Sequence, residues 1–439
     1  RAGGVTPQKP SRRSHAPDAT ARPAMAPPHR ILIISQVYVP DPAAVGQYMA
    51  DAAEALAARG HDVRVLTSAS GYDDPSIKYA RREVRGGVQV RRMPLSSFGK
   101  RTIAHRLLGQ GLFLAQVLLH GLFSRRPAAV LVSTSPPMAS IAALVIGVLR
   151  RAPITYWVMD LNPDQVIATG VMKPTSLPVR ALDWLNRRIL SRAAKVAPLD
   201  RFMADRLRAK FAGDAGRLQK LEPKITVLPP WPMVEPAAAI PRGENAFRRR
   251  HGLGDRRVVM YSGNHGMTTP VDTLVDAALR LRDDPRLVFV FVGAGPGKRC
   301  VEEAIARHAP PNLLSLPYQP LADLPCSLSA ADVHVVLMNE RLVGIVHPCK
   351  VYGAMSVGRP LLYFGPRASH ITELLDEGGI GWRATQGDVD SAVAALEEIA
   401  SAPAADLHAK GAKAQAMLAG RFSAEKLRNQ FCDTVTATF

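Results

Sequence analysis

Residues 30–67, RILIISQVYVPDPAAVGQYMADAAEALAARGHDVRVLT, decide the fold. The stretch opens on a continuous apolar run, RILII, which reads as a buried strand. A Pro/Asp-rich loop containing Gly46 follows. A helical pattern then runs to Gly60, glycine just past the last turn being a common helix terminator. A second strand is expected over 63–67. Strand, loop, helix, strand is the signature of a parallel sheet.

The alternation continues outward. VQVRRMP (88–94) reads as a short strand, 103–123 as a long apolar helix and AAVLVSTSPP as a strand ending at a proline pair. Residues 138–149 read as helix, PITYWVMD as strand, 178–193 as helix, KVAPLD as a short strand and 201–211 as helix, and KITVLPP closes the first half. The segment 229–245, PPWPMVEPAAAIPRGEN, is Pro-rich and aperiodic and reads as a linker, because proline removes donors and breaks helices. The rhythm then restarts. Strands are expected at RRVVMYSGNHG, RLVFVFVGAGPG, LLSLPY, DVHVVLM, RPLLYFG and GIGWRA, with helices over 271–282, 299–308, 321–329, 348–356, 369–376 and 388–401. Residues 404–439 are helical with no further strand. The result is two α/β units of similar size, in keeping with 439 residues, too many for one ordinary core.

Composition narrows the function classes. Hydrophobic residues make up 47% and charged residues 21%, a globular profile. The formal charge of +19 fits nucleic acid, an anionic membrane leaflet, an anionic substrate, or solvated faces rich in arginine. The basic residues are scattered along the chain and form no nucleic-acid recognition motif, so no nucleic-acid partner is expected. Cys300, Cys326, Cys349 and Cys432 include no CxxC spacing and fit neither a zinc site nor a disulfide framework. Reduced thiols and a cytoplasmic home are the default. Residues 1–29, rich in Arg, Pro, Ala and Ser, read as a disordered tail rather than a secretory signal, with Met25 a candidate start. No run of about 20 apolar residues is present, so no spanning helix is expected.

Open α/β sheets bind ligands at the carboxyl ends of their strands, so the loops there carry the chemistry. In YSGNHGMTTPVDTLVDAA, Gly263 and Gly266 flank Asn264 and His265 ahead of a helix. Such a turn offers backbone N–H groups and a helix dipole to phosphate, or is simply a tight turn whose glycines allow close packing. In VFVFVGAGPGK, Gly293, Gly295 and Gly297 allow a nucleotide to approach, or again form a glycine turn. The dinucleotide fingerprint G-x-G-x-x-G fails there, with Lys298 at its last position. In NERLVGIVHPCKVYGAMSVGRPLLYFG, Gly344 sits in a loop, Pro348 opens a helix and Lys350 lies in its first turn. A cation there opposes the helix dipole and is more natural facing an anion. His347 beside it reads first as a satisfied loop histidine. In YWVMDLNPDQVIATG, Asp160 stands at a strand end, followed by Asn162, Pro163 and Asp164. Asp160 suits a base or a hydrogen-bond partner for sugar hydroxyls; Asp164 reads as a helix cap.

No nucleophile elbow, Walker loop or metal constellation is present in the sequence, so no cofactor or metal is expected. LLGQGLFLAQVLLHGLF, flanked by Arg101, His105, Arg106, Arg125 and Arg126, suits a helix lying in a membrane interface, a core helix of the first sheet, or both, one face each.

These stretches, with VLPPW, resemble the retaining glycosyltransferases of family four, closest to the bacterial branch that builds exopolysaccharide, capsule and O-antigen. The resemblance runs from residue 30 to 439 and rests on the order and spacing of the motifs. It implies the GT-B fold: two facing Rossmann-like domains, 30–228 and 246–420, with the last helix, 421–439, returning to the first domain. The cleft between them would hold a UDP- or GDP-linked sugar on the C-terminal side and a lipid-linked saccharide acceptor on the N-terminal side, at the cytoplasmic membrane surface. Carried over by position, Gly46 and Gln47 lie near the transferring sugar, and Asp160 and Asn162 line the acceptor side. Asn264 and His265, with Gly263, Gly266, Gly293 and Gly295, face the diphosphate, together with Gly344 and His347. Lys350 offsets the diphosphate charge and Glu373 falls near the last ligand loop. The sequence departs from the family where two glutamates separated by seven residues are usual, with Ile345 and Gly353 in their places, and where an arginine follows the SG turn, replaced by Asn264. A nucleotide-sugar 2-epimerase of the same fold and a catalytically degenerate sugar-nucleotide-binding assembly partner are the rival readings.

Overall fold

The computed structural model describes residues 28–71, 74–96, 103–233, 239–266 and 268–439. The tail expected over 1–29 lies outside these except for its last two residues. So does the centre of the Pro-rich segment.

The first half runs β1 (Arg30–Ile34), α1 (Ala44–Ala58), β2 (Asp62–Ser68), β3 (Arg82–Arg85), β4 (Val88–Met93), α2 (Ile103–Phe123), β5 (Ala129–Ser133), α3 (Ala139–Leu149), β6 (Ile154–Val158), α4 (Asp164–Ala168), α5 (Leu177–Arg192), β7 (Lys195–Pro198), α6 (Arg201–Ala209) and α7 (Ala215–Leu221). The strands form one seven-stranded sheet in the order β3-β4-β2-β1-β5-β6-β7. All pairs are parallel except β3–β4. β5 and β6 are buried along their whole length, as a sheet covered on both faces requires. β3 escapes the sequence reading because its charged, exposed residues show no apolar alternation. Its hairpin signal is Gly86-Gly87, both with positive φ, as a two-residue turn between antiparallel strands needs. KITVLPP forms no strand but runs along β7, bridging Ile225 to Val196, with the N–H groups of Thr226 and Leu228 donating to the Val196 and Pro198 carbonyls at 2.9 and 2.8 Å. Gly46, expected in a loop, lies in the first turn of α1.

The second half runs α8 (Ala246–Arg250), β8 (Arg257–Ser262), α9 (Asp272–Arg280), β9 (Leu287–Val292), α10 (Lys298–His308), β10 (Leu313–Leu316), α11 (Leu324–Ser329), β11 (Val333–Leu337), α12 (Lys350–Ser356), β12 (Leu361–Phe364), α13 (His370–Gly378), β13 (Gly381–Ala384) and α14 (Val389–Ser401). Its six-stranded parallel sheet has the order β10-β9-β8-β11-β12-β13. The strand order reverses between β8 and β11, which opens a crevice at their carboxyl ends.

α15 (Ala404–Arg421) packs on α12 and α13, and α16 (Ala424–Thr436) packs on α1 of the first half. Phe431 of α16 is wedged against Trp157, ring centroids 4.3 Å apart, and Arg59 meets Asp433 at 2.6 Å. The Pro-rich segment is anchored at both ends. Trp231 is buried beside Trp157, its Nε1 donating to Asp51 at 3.0 Å, and Asn245 caps α8. An indole inside a proline run is a packing element, which composition alone does not reveal.

Candidate active site

The β8–β11 crevice gathers residues from two distant loops. The β8 turn presents Gly263, Asn264 and His265, and α12 brings in Lys350. Lys350 Nζ lies 3.9 Å from the centre of the Tyr261 ring. It donates to the Tyr261 hydroxyl and, at 3.0 Å, to the Asn264 carbonyl. Among the described residues no carboxylate pairs with it. Burial pushes its pKa down to about 7. An arriving anion would supply the missing countercharge. Gly263, at φ +134°, has no room for a side chain, since a Cβ would stand 2.5 Å from Lys350 Cε.

His265 is fully buried, its ring edge-on to that of Tyr261 with centroids 4.7 Å apart. Burial, then Lys350 and Lys298, push its pKa down to about 4, so the ring is neutral. The Asn264 side chain is exposed, and the Gly266 N–H donates to Thr269 Oγ1 at 3.1 Å. Gly293 and Gly295 have a structural task. A Cβ on Gly293 would stand 2.0 Å from the Gly263 carbonyl, and one on Gly295 2.5 Å from that of His265. Their bare backbones let the two loops lie against each other, tied by His265 N–H to Ala294 O at 2.9 Å.

On the first-domain side, β6 ends at part-buried Asp160. The backbone N–H groups of Met159 and Asp160 both donate to Thr134 Oγ1, at 3.1 and 3.0 Å. Burial raises the Asp160 carboxyl to about 6. Asp160 adjoins Cys349, the residue before Lys350, whose thiol burial and then Asp160 raise to about 12. The Tyr48 hydroxyl of α1 is in hydrogen-bond reach of the same thiol. Asn162 serves the framework: its amide donates to Gln165 and its carbonyl accepts from Asn186. Asp164 pairs with Lys210 at 2.7 Å. Gly46 lets α1 close on the preceding loop, a Cβ there standing 3.0 Å from Val37 Cγ1, and Gln47 donates to the Pro42 carbonyl at 2.9 Å.

Three residues expected on the donor side turn instead to the other domain. His347 is buried, with Nδ1 2.8 Å from Asp200 Oδ2 and Nε2 2.9 Å from the Tyr352 hydroxyl. Glu373 is paired with Arg201. Gly344, at φ +70°, presses on α6, where a Cβ would stand 2.4 Å from the Phe202 carbonyl. Arg206 adds a bond to the Val343 carbonyl at 3.1 Å, and Leu161 N–H one to Ile345 O at 2.9 Å. Ile345, where the family has glutamate, is thus a buried contact between domains.

Sequence reasoning passed over Tyr261, Asp200, Arg201, Cys349 and Tyr48. The readable traces were an aromatic at the end of β8 and an Asp in the N-cap position of α6, where its side chain accepts from Met203 N–H at 2.8 Å. Among the described residues no three His, Cys, Asp or Glu side chains gather as metal ligands.

Both halves of the chain match known domain families. Residues 43–222 match the glycosyl transferase 4-like domain and residues 256–402 the glycosyl transferases group 1 domain. The chain is 27% identical to a probable glycosyltransferase, WbjE, of Pseudomonas aeruginosa over 315 residues, 68% of this chain and 74% of that protein. It is 26% identical to the putative colanic acid biosynthesis glycosyl transferase WcaI of Escherichia coli (strain K12) over 342 residues, 75% of this chain and 81% of that protein. In shape it is similar to Anabaena HepE in complex with UDP-glucose, with a TM-score of 0.67 at 17% identity over 93% of this chain and 100% of that one. It is equally similar to WaaG, a glycosyltransferase involved in lipopolysaccharide biosynthesis, with a TM-score of 0.67 at 16% identity over 92% and 99% of the two chains. With a 4-like domain in its first half, a group 1 domain in its second and a cleft lined by both, the chain is a glycosyltransferase of the GT-B fold.

Proposed function

We propose that the enzyme moves a sugar, with retention, from a UDP- or GDP-linked donor to a lipid-linked saccharide in cell-surface polysaccharide synthesis, without a metal. One observation carries the reading. Lys350, a part-buried cation with no carboxylate partner among the described residues, stands at the β8–β11 crevice beside Asn264 and His265. The scissile bond joins the sugar C1 to a diphosphate oxygen. When it breaks, the oxygen keeps the electron pair, and negative charge grows where Lys350 and the β8-turn amides lie. Groups fixed in place before charge develops are effective catalysts. The new bond joins C1 to an acceptor hydroxyl oxygen. Asp160, ionised above about pH 6, orients that hydroxyl from the first domain and takes its proton as the new bond forms. UDP bound to HepE supports a nucleotide sugar as donor.

The acceptor and membrane parts of the reading rest on charge and exposure. Leu108, Leu119 and Phe123 of α2 are exposed while Phe113, Leu114 and Val117 are buried, so the helix has a core face and an apolar outer face. Arg125 and Arg126 follow it; Arg101 lies outside the described residues, and for Arg106 only the helical backbone is described. No helix among the described residues is long and apolar enough to cross a membrane. A peripheral place on the cytoplasmic face of the plasma membrane is consistent with these features.

Thermal unfolding against a panel of UDP-, GDP- and dTDP-sugars tests the donor assignment. One nucleotide class should raise the melting temperature, by mass action on the native state. A folded protein that no member shifts at millimolar concentration would overturn the donor assignment.

A further inference from the structure

The second sheet has a further concavity at the end opposite the crevice, where β8 and β9 begin and α14 gives way to α15. Its volume is about 280 Å³. Four arginines line it, Arg242, Arg256, Arg257 and Arg286, and Asp255 is the single carboxylate among the lining residues. Arg257 opens β8, and its backbone N–H donates to the Arg286 carbonyl at 2.7 Å, so strand pairing sets these two residues side by side. Nearby acids do not offset the charge. Asp332 pairs with Arg242 at 2.7 Å but also with Arg248 at 3.3 Å. Asp284 pairs with Arg286 at 2.7 Å. Among the described residues no carboxylate is in ion-pair contact with Arg256 or Arg257. They donate to main-chain carbonyls instead, Arg256 to Gly252 at 3.0 Å and Arg257 to Ala402. A carbonyl satisfies an N–H group but brings no net charge.

Like charges gathered in a concave surface raise the potential there and draw in an anion. The start of α15 adds to the pull. It opens on the cavity at Ala404, and no side chain caps it. Uncapped N–H groups and the helix dipole favour negative charge. These donors fit a phosphoryl group. A phosphomonoester carries a charge of roughly −1.5 to −2 near pH 7 and three acceptor oxygens, enough to engage more than one guanidinium at once. The volume stands at the lower end of small-molecule sites, which suits a phosphate bearing one sugar-sized group. We propose that this cavity is a second anion site, separate from the donor crevice, which binds a small phosphate monoester through Arg256, Arg257, Arg286 and the first turn of α15. The length of β8, Arg257–Ser262, lies between it and the glycine turn, roughly 20 Å at the rise of a strand. Both sites can therefore be filled together.

Glucose 6-phosphate is the probe. It is titrated into the full chain by calorimetry and by thermal unfolding at fixed ionic strength, with glucose and sodium chloride as controls. The ester should raise the melting temperature where the controls do not, by mass action on the native state. Arg257→Gln with Arg286→Gln should weaken binding by at least about 10-fold, the loss expected for a charge-assisted hydrogen bond. Ala404→Glu sets a carboxylate in the cavity at a helix N-terminus, a place that favours it. That variant should melt higher than the parent and lose the response to the ester, and it stands in if the double variant fails to fold. Lys350→Ala should keep the response. Inorganic phosphate should bind more weakly than the ester; equal or tighter binding would overturn the ester as ligand. The site is overturned if the ester shifts the melting temperature no more than chloride does or if Ala404→Glu responds like the parent. It is also overturned if Lys350→Ala removes the response, since the ester then occupies the donor crevice. Ala404→Glu should retain any shift that a nucleotide sugar produces, so failure of the donor reading and failure of this site are read separately.

Discussion

Nδ1 of His347 lies 2.8 Å from Oδ2 of Asp200, so a ligand-loop histidine of the second domain is held by a carboxylate at the end of a first-domain strand. Burial alone would raise the Asp200 carboxyl. The hydrogen bond and charge of His347, with the Met203 N–H, hold it below its usual range instead. His347 is three residues before Lys350, so this contact ties the placement of the cation to the relation between the domains. Asp200→Asn should lower stability by about 1–3 kcal/mol, the usual range for an unsatisfied buried partner. The variant should also raise the donor KM. A double-mutant cycle with His347→Gln, read by thermal unfolding, should give a clear coupling energy; additivity would mean the two side chains do not act together.

Removing the charge of Lys350 should impair transfer far more than folding. Lys350→Ala should lower kcat/KM by about 10²–10³, the range for loss of one preorganised group facing developing charge. Its melting temperature should hold or rise. The folded pKa of about 7 lies below the ordinary 10.5, so the folded state disfavours the charged form. Stability from this group is lower below pH 7 and grows from pH 7 towards 10.5. Equal loss of activity and stability would make Lys350 a framework residue.

The rate should depend on pH in a narrow window. Asp160 ionises near 6 and Lys350 loses its charge near 7 in the unliganded enzyme. The kcat/KM profile should rise through about pH 6 and fall above about pH 7. Asp160→Asn should erase the acidic limb and lower kcat, general acid–base groups being worth about 10²–10⁴. Lys350→Arg should move the alkaline limb upward. An unchanged acidic limb in Asp160→Asn would rule out Asp160 as its source.

Acid should destabilise the fold through buried neutral histidines. Burial lowers His265 and His334 to about 4 and His370 to about 3, from 6.5. The unfolded chain binds their protons first, so stability is full above about pH 6.5 and falls as pH drops towards 4 and 3. His334→Gln keeps an amide donor for the Leu328 carbonyl, which His334 meets at 2.9 Å, and should flatten the slope of melting temperature against pH in that range. An unaltered slope would exclude His334 from the effect.

Gly344 should resist substitution. Its φ of +70° and the 2.4 Å approach of a built Cβ to the Phe202 carbonyl disfavour any side chain. Gly344→Ala should cost about 1–3 kcal/mol, the range for strain at such positions. It should also loosen the contact between domains, read as faster proteolysis there. A variant as stable and as resistant as the parent would show that the loop can shift.

Much of the architecture was legible because it is local. The runs RILII and LVFVFV, Gly60 after α1 and the restart of the rhythm after the Pro-rich segment need no knowledge of distant residues. Of the site, the SGNHG turn and Lys350 were visible as chemistry at strand ends. What they face was not. Residues 261 and 350 meet only through the packing of α12 on the second sheet, and 200 with 347 and 201 with 373 only because the two domains face each other; no spacing rule records a contact between residues so far apart in the chain. The same limit hides the protein contacts of Gly293, Gly344 and Glu373: a glycine turn or an acidic first turn looks the same whether it meets phosphate or another piece of protein. The sequence by itself determined the parallel α/β character and the two-part division, through periodicity and turn chemistry. Only the tertiary structure decided which strand-end residues face the cleft and which lock one domain to the other, because that depends on packing between distant segments.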